Sequence, residues 1–243
     1  MQGMEIRDKI AIVTGASAGI GLATARLLTE QGVKVALVSR SRQKLEELSH
    51  QLPESVPIVT DVSKPEEIIE MVAHVKKHYG RIDILVNVAG QGYDAPIEAT
   101  DLNTFHKVFD LDVVGPLVAM QQVIPMMKEQ HAGAIVNISS GTALMVLPNT
   151  GAYSSLKRAL AQLSLTAQEE LKPFNIQVSV IYPYMTDTDF EKNTIKHGII
   201  QEQEEEGDGP PFPPDPAELV AQKIMEAIIT GQAEVYAHDW MKP

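Results

Sequence analysis

Short runs of β-branched and aliphatic residues recur along the chain, and between most of them the apolar positions return every three or four residues. The short runs are Lys9–Thr14, Lys34–Ser39, Val56–Thr60, Ile82–Val88, Ala134–Ser139, Ile176–Ile181 and Ala233–Tyr236. Most lack the apolar–polar alternation of a strand with one wet face, so they predict a parallel sheet covered on both sides. The helical stretches between them are Gly19–Glu30, Arg42–Gln51, Pro65–Tyr79, Asp101–Gln130, Ala152–Leu171 and Pro216–Thr230. Asp61-Val62-Ser63 ahead of Pro65 and Glu66 marks a helix start, with Ser63 or Lys64 near the cap and the proline in the first turn. Strand–helix alternation over nearly the whole chain predicts an α/β class protein: a single-domain, doubly wound fold, its parallel seven-stranded sheet carrying helices on both faces.

One segment breaks the rhythm. Gln201 to Pro216 reads QEQEEEGDGPPFPPDP, which cannot bury apolar area, and we expect a mobile loop at about 188–216 beside a substrate site. Only about 27 residues follow, too few for a second domain, so residues 1–243 read as one domain. The chain has no cysteine, which excludes disulfide scaffolds, Cys–zinc sites, iron–sulfur clusters and thiol catalysis. A net charge of −12 repels a phosphate backbone, so nucleic acid is not expected as a partner. No uninterrupted apolar run approaches the roughly 18 residues of a membrane span. The polar start MQGMEIRDK does not read as a signal peptide. A soluble cytoplasmic protein with no membrane partner is expected.

The first strand ends in Thr14-Gly15-Ala16-Ser17-Ala18-Gly19-Ile20-Gly21, and a helix follows at once. Such a turn brings backbone N–H groups and the positive helix end to one point, and its glycines let a pyrophosphate approach without Cβ interference. This strand–turn–helix placement gives the glycine spacing its meaning as a Rossmann dinucleotide site. The second strand ends in Ser39-Arg40-Ser41-Arg42, where the adenosine ribose would lie. No carboxylate stands there to take two ribose hydroxyls; Ser39 and the Arg40 guanidinium suit a phosphate, so NADP(H) is the expected cofactor.

Tyr153 and Lys157 stand four apart at the start of a predicted helix, on one face of it. Ser140 follows the preceding strand, at the sheet edge where ligands bind in this architecture. The glycine turn, Asp61-Val62, Asn87-Val88-Ala89-Gly90, Ser140 and Tyr153-Ser154-Ser155-Leu156-Lys157 together resemble the short-chain dehydrogenase/reductase (SDR) family over essentially the full length. The resemblance implies an oxidoreductase interconverting a ketone or aldehyde and an alcohol. Tyr153 would be the proton donor or acceptor. Lys157 would lower its pKa and hold the nicotinamide ribose, and Ser140 would bind the carbonyl oxygen. Gly15, Ser17, Gly19, Ile20 and Gly21 would cradle the coenzyme, Asp61 and Val62 would meet its adenine, and Asn87, Ala89 and Gly90 would floor its adenosine and ribose.

Two positions depart from the family pattern. Asp112-Val113-Val114-Gly115 stands where an asparagine is usual, a residue thought to kink its helix and hold a water linking the lysine to solvent. A carboxylate there would stabilise the Lys157 ammonium and offset the positive potential at Tyr153, so Asp112 joins the catalytic set with an altered proton relay. Pro183-Tyr184-Met185-Thr186-Asp187-Thr188 keeps the usual proline and threonine but replaces a glycine by Tyr184, expected to narrow the pocket beside the nicotinamide. Pro183, Thr186 and Thr188 are expected at the coenzyme, and Leu144, Tyr184 and Phe190 with Ser140 and Tyr153 around a small, neutral carbonyl or alcohol substrate. The alternative is a nucleotide-sensing binding protein that keeps the fold but turns over poorly. His74 and His78, one helical turn apart beside Lys76 and Lys77, read as a solvated face and no metal site is expected. Leu156, Ala159, Leu160, Ala161, Leu163 and Leu165 make the last long helix apolar enough to meet both sheet and neighbour, and a homodimer or homotetramer is expected.

Overall fold

A computed structural model of the chain describes residues 4–198 and 212–242. Its centre is a seven-stranded, wholly parallel sheet in the order β3-β2-β1-β4-β6-β7-β9. These strands are β1 (Ile10–Thr14), β2 (Lys34–Ser39), β3 (Val56–Val59), β4 (Ile84–Asn87), β6 (Gly133–Ile138), β7 (Ile176–Tyr182) and β9 (Glu234–Tyr236). A parallel neighbour must be reached by a crossover, and helices α1 (Gly19–Glu30), α2 (Arg42–Gln51), α3 (Pro65–Tyr79), α6 (Gly151–Leu171) and α7 (Ala217–Thr230) supply most of these connections. Pro65 opens α3 after the Lys64 cap, as the sequence predicted.

Strand residues point alternately to the two faces, and in β1 both faces are buried. Ala11 and Val13 pack with Leu28 of α1 and Ile224 of α7, whereas Ile10 and Ile12 pack with Met71 of α3 and Val123 on the opposite side. Full burial of such aliphatic side chains stabilises the fold by about 1.5–3 kcal/mol each, which is why the strands tolerate no polar alternation.

The structure corrects the predicted helix Asp101–Gln130. It is two helices, α4 (Leu102–Phe109) and α5 (Gly115–Gln130), joined by a π-helical turn at Asp110–Val114. The extra residue in that turn drives Asp112 to complete burial, while Gly115 is forced small because any Cβ would overlap the Val62 carbonyl. By length and composition Leu102–Gln130 could cross a membrane. On α5, however, Ala119, Met120, Val123, Met126 and Met127 pack inside the fold, against α3 and the sheet.

Two short strands escaped the sequence reading. β5 (Tyr93–Asp94) and β8 (Ile195–Lys196) pair in parallel as a separate small sheet. Of the loop expected at 188–216, residues 199–211 lie outside the described residues. Its described flanks are tied down: β8 holds one end to β5, and Asp215 bridges to Thr186 at the other.

Candidate active site

The β1–β4 neighbourhood is where the sheet order reverses, the place where open α/β sheets leave a crevice beyond the strand ends. A cleft of about 380 Å³ lies there, lined by Gly15, Ser17, Ser39, Arg40, Asp61, Val62, Ala89 and Gly90, with Val38, Ser41, Thr60 and Leu111. Of the twelve coenzyme residues predicted from the first four main-sheet strands, eight line this one surface, and Gly19, Ile20, Gly21 and Asn87 do not. Gly15 has φ 68°, and a Cβ there would stand 3.1 Å from the Ala89 nitrogen. A Cβ on Gly21 would overlap the Gly15 carbonyl. Glycine is therefore required both by backbone conformation and by the close approach of helix to turn. Ile20 is half-buried against the core behind that turn.

Thr14 fixes the opposite wall. Its Oγ1 accepts from the backbone N–H groups of Val88, at 3.0 Å, and Ala89, at 3.2 Å, clamping the end of β4 to the end of β1. The sequence signal was a threonine directly before the first glycine, but no role was read from it. Asn87 is placed differently from expectation: its side chain is buried and donates to Asn137 Oδ1 at 2.8 Å, and Asn137 in turn donates to Ser164 Oγ at 2.7 Å. Asn87 thus knits β4, β6 and α6 with its amide and does not line the cleft.

Asp61 Oδ1 accepts from the Ser63 hydroxyl at 2.8 Å and the Ser63 N–H at 3.1 Å. Burial pushes its carboxyl up, but the Ser63 hydrogen bonds and the Arg40 and Lys64 cations outweigh that and hold it below its ordinary value. The Arg40 guanidinium is exposed at the cleft wall. Thr188 lies across the entrance from the far side of the sheet, its Cγ2 3.0 Å from where a Cβ on Gly19 would stand. Its hydroxyl accepts from Phe190 N at 3.2 Å, and that of Thr186 donates to the Tyr184 carbonyl at 2.9 Å.

Beyond the cleft, β6 grips Lys157 at both ends. Ser139 donates its hydroxyl to the Lys157 carbonyl at 2.9 Å, and the Lys157 ammonium donates to the Ile138 carbonyl at 3.0 Å. The same ammonium lies 3.0 Å from Asp112 Oδ2, and Asp112 Oδ1 accepts from Gln91 N at 2.9 Å. Lys157 Nζ is 5.7 Å from the centroid of the Tyr153 ring. Ser140 caps a 3-10 turn at Gly141–Leu144, its Oγ accepting from Thr142 N at 3.2 Å and from the Thr142 hydroxyl at 3.0 Å. Tyr153, Lys157 and Asp112 are buried together, with Ser140 half-buried beside the phenol, and the i, i+4 spacing does bring the Tyr153 ring and the ammonium together.

Burial, the largest effect, pushes the Tyr153 phenol up, as do Asp112 and Asp94; Lys157 pulls it down, as expected, as does the Ser140 side chain, and the phenol stands above its ordinary value. Lys157 itself stands above its ordinary value: burial pulls it down, but Asp112 and Tyr153 together outweigh burial. Burial likewise raises Asp112 against the pull of Lys157 and Gln91.

Around this cluster lie the residues expected at the substrate. Phe190 places its ring 6.0 Å from that of Tyr153. Leu144 is half-buried against Val180 and Tyr182. Pro183 accepts at its carbonyl from Gly141 N, 2.8 Å, which joins the two loops that follow β6 and β7. The Tyr184 ring is committed to an aromatic cluster with His238 and Trp240, at 6.1 and 5.4 Å, and its hydroxyl donates to the Phe212 carbonyl at 3.2 Å. His238 Nε2 meets both oxygens of Asp215, at 2.9 and 2.8 Å, and stacks on Trp240. The sequence reading assigned nothing to this C-terminal group, nor to Gln91 and Thr142. Their partners come from elements far apart in the chain or from backbone atoms, which leave no local pattern.

The sheet order and the glycine-lined cleft define a Rossmann-type protein. The chain belongs to the short chain dehydrogenase family, whose model matches residues 9–198. An uncharacterised oxidoreductase of Staphylococcus aureus is 36% identical over 185 residues, covering 75% of this chain and 80% of that protein. A crystallised short-chain dehydrogenase from Streptomyces avermitilis superposes with a TM-score of 0.87 at 29% identity, covering 98% of this chain and 90% of that one. A short-chain dehydrogenase/reductase from Burkholderia phymatum, crystallised with NAD, gives a TM-score of 0.86 at 23% identity, over 98% of this chain and 92% of that one. The protein is thus an oxidoreductase of this family by descent.

Proposed function

We propose that the protein interconverts a ketone or aldehyde and the corresponding alcohol with NADP(H), Tyr153 acting as general acid and base. The observation that carries this reading is the convergence of Ser140, Tyr153 and Lys157 at the carboxyl edge of the sheet, beside the glycine-lined cleft. The residues fit a dinucleotide, because the cradle at Gly15 and Gly21 is one that a Cβ would fill. When bound, the coenzyme supplies or takes the hydride. Ser140 holds the carbonyl oxygen, already oriented by Thr142, and Tyr153 gives that oxygen its proton in reduction or takes it in oxidation. Lys157, fixed by Ile138 and Asp112, keeps a positive charge within reach of the phenol.

NADP(H) is preferred in this reading because Ser39, Arg40 and Ser41 line the adenosine end and no carboxylate closes β2. The Burkholderia neighbour was crystallised with NAD, so the preference rests on this chain's own residues. Exposed Met145, Val146, Leu147, Met185 and Phe190 around the cluster favour a small neutral substrate over a charged one. Leu102 and Phe109, exposed on α4, support self-association into a dimer or tetramer. The cytoplasm, where both nicotinamide coenzymes occur, is the proposed setting. The test is a panel of carbonyls and alcohols followed at the nicotinamide absorbance band with each coenzyme. Turnover with NADPH exceeding that with NADH supports the reading, and no turnover across the panel removes it.

A further inference from the structure

Directly after Gly90 the chain meets the segment that follows Thr188, and Gln91 makes the first contact. Its amide nitrogen has two protons to give, and both are used: Nε2 donates to the Asn193 carbonyl at 2.5 Å and to the Gly92 carbonyl at 3.2 Å. Gly92 permits the approach, because a Cβ there would overlap the Thr194 side chain. Beyond it the two segments zip together as β5 and β8, with Ile195 N donating to the Gly92 carbonyl and His197 N to the Asp94 carbonyl, both at 3.0 Å. The β5 side is anchored in the body of the fold: Tyr93 is fully buried, and its hydroxyl accepts from Asp101 N at 2.7 Å.

What Gln91 holds is a turn over residues 189–194 that carries Phe190. Asn193 N donates to the carbonyls of Asp189, at 3.0 Å, and Phe190, at 3.2 Å, and the Thr194 hydroxyl donates to the Phe190 carbonyl at 3.1 Å. Asn193 is therefore bonded on one side to Gln91 and on the other to Phe190, whose ring stands 6.0 Å from that of Tyr153. Phe190 keeps 40% exposure and Tyr153 9%, so the Phe190 ring lies on the solvent side of the phenol. We propose that Gln91 is a positioning residue that sets substrate size: its amide holds the turn, and with it the Phe190 ring, against Tyr153, so that compact carbonyl compounds reach the site and bulky ones are held off.

This rests on the function proposed above and deepens it by naming a residue that limits the substrate. The Gln91 side chain acts on the site only through Asn193 and Phe190. Its backbone N–H, which donates to Asp112, is a separate contact that a side-chain substitution leaves in place. A single net hydrogen bond shifts a local open–closed equilibrium by about threefold to tenfold. That is enough to bias the position of an exposed turn and too little to lock it, as a segment at the mouth of a site requires.

The test compares the unsubstituted chain with Gln91→Leu, which removes both donors, and with Gly92→Ala, which pushes the turn away from the other side. In the coenzyme-free chain, amide hydrogen exchange at Ile195 and His197 should quicken about threefold or more in both variants, while Val136 in β6 exchanges as before. Acetylation of Tyr153 by N-acetylimidazole, read by peptide mass mapping against Tyr79 in the same sample, should quicken by about the same factor. The ratio of kcat/KM for a bulky neutral aldehyde to that for a small one should also rise about threefold or more. Unchanged exchange at Ile195 and His197 would remove the tether. Faster exchange with unchanged Tyr153 acetylation, or with an unchanged size ratio, would overturn the role of Gln91 in size selection. Exchange and acetylation need no turnover, so a silent carbonyl panel would strike the proposed function while these two measurements still decide the role of Gln91.

Discussion

His238 holds both carboxylate oxygens of Asp215, at 2.9 and 2.8 Å, and so ties the C-terminal segment to the loop that follows β7. Asp215 is itself bonded to that loop through its backbone, donating to Met185 O at 2.7 Å and accepting from Asp187 N at 2.8 Å. Removing the imidazole leaves a buried carboxylate short of its partner, a loss of about 1–3 kcal/mol. His238→Ala should lower thermal stability and raise the coenzyme dissociation constant about fivefold or more, because Thr186 and Thr188 lose their anchor. Coenzyme fluorescence titration checks this, and unchanged affinity would show the clasp to be independent of the cleft.

The glycine turn should fail by sterics. Gly21→Val places side-chain atoms against the Gly15 carbonyl, and Gly15→Ala places a Cβ on a residue at φ 68° facing the Ala89 backbone. Overpacking of this kind costs about 1–3 kcal/mol. Both variants should remain folded by circular dichroism yet lose measurable coenzyme binding in calorimetry.

Coenzyme choice should turn on Arg40. A guanidinium–phosphate contact contributes about 1.5–3 kcal/mol, so Arg40→Ala should weaken NADPH about tenfold or more and leave NADH within about twofold. Equal losses for both coenzymes would mean that Arg40 does not read the ribose phosphate.

Tyr182 provides a stability test with a defined sign. Its phenol is buried and donates to Glu234 at 2.9 Å, and burial together with that carboxylate pushes its pKa well above the ordinary value. A folded-state pKa above the unfolded one means the contribution is complete below about pH 10 and is lost as pH rises beyond it. Tyr182→Phe should therefore show a shallower alkaline decline in urea midpoint than the unsubstituted chain.

What could be read from the sequence followed from local rules. Strand runs such as Val35–Val38 are buried on both faces, and the Gly15–Gly21 spacing follows a strand, so both declared themselves without tertiary knowledge. The Tyr153–Lys157 pair was legible because helical spacing alone brings the residues together. The break at Asp110–Val114 was legible only through the family resemblance, which puts a kink at the position of Asp112; its own residues have no helix-breaking composition, and the π-helical bulge shows itself through the burial of Asp112. Only part of the balance at Tyr153 was legible for a related reason: the pull of a neighbouring cation is visible in the sequence, whereas burial, the larger effect, is a property of the packed molecule. The Asn87 amide and the His238–Asp215 clasp join segments 50 and 23 residues apart, beyond the reach of any local pattern.

The central claim is that Tyr153 carries the proton of a carbonyl–alcohol exchange. The most direct measurement compares NADPH oxidation by a reactive neutral aldehyde in the unsubstituted chain and in Tyr153→Phe, alongside NADPH affinity. The account predicts a rate loss of about a hundredfold to ten-thousandfold with affinity nearly unchanged. Turnover that survives the substitution within a few-fold would contradict it.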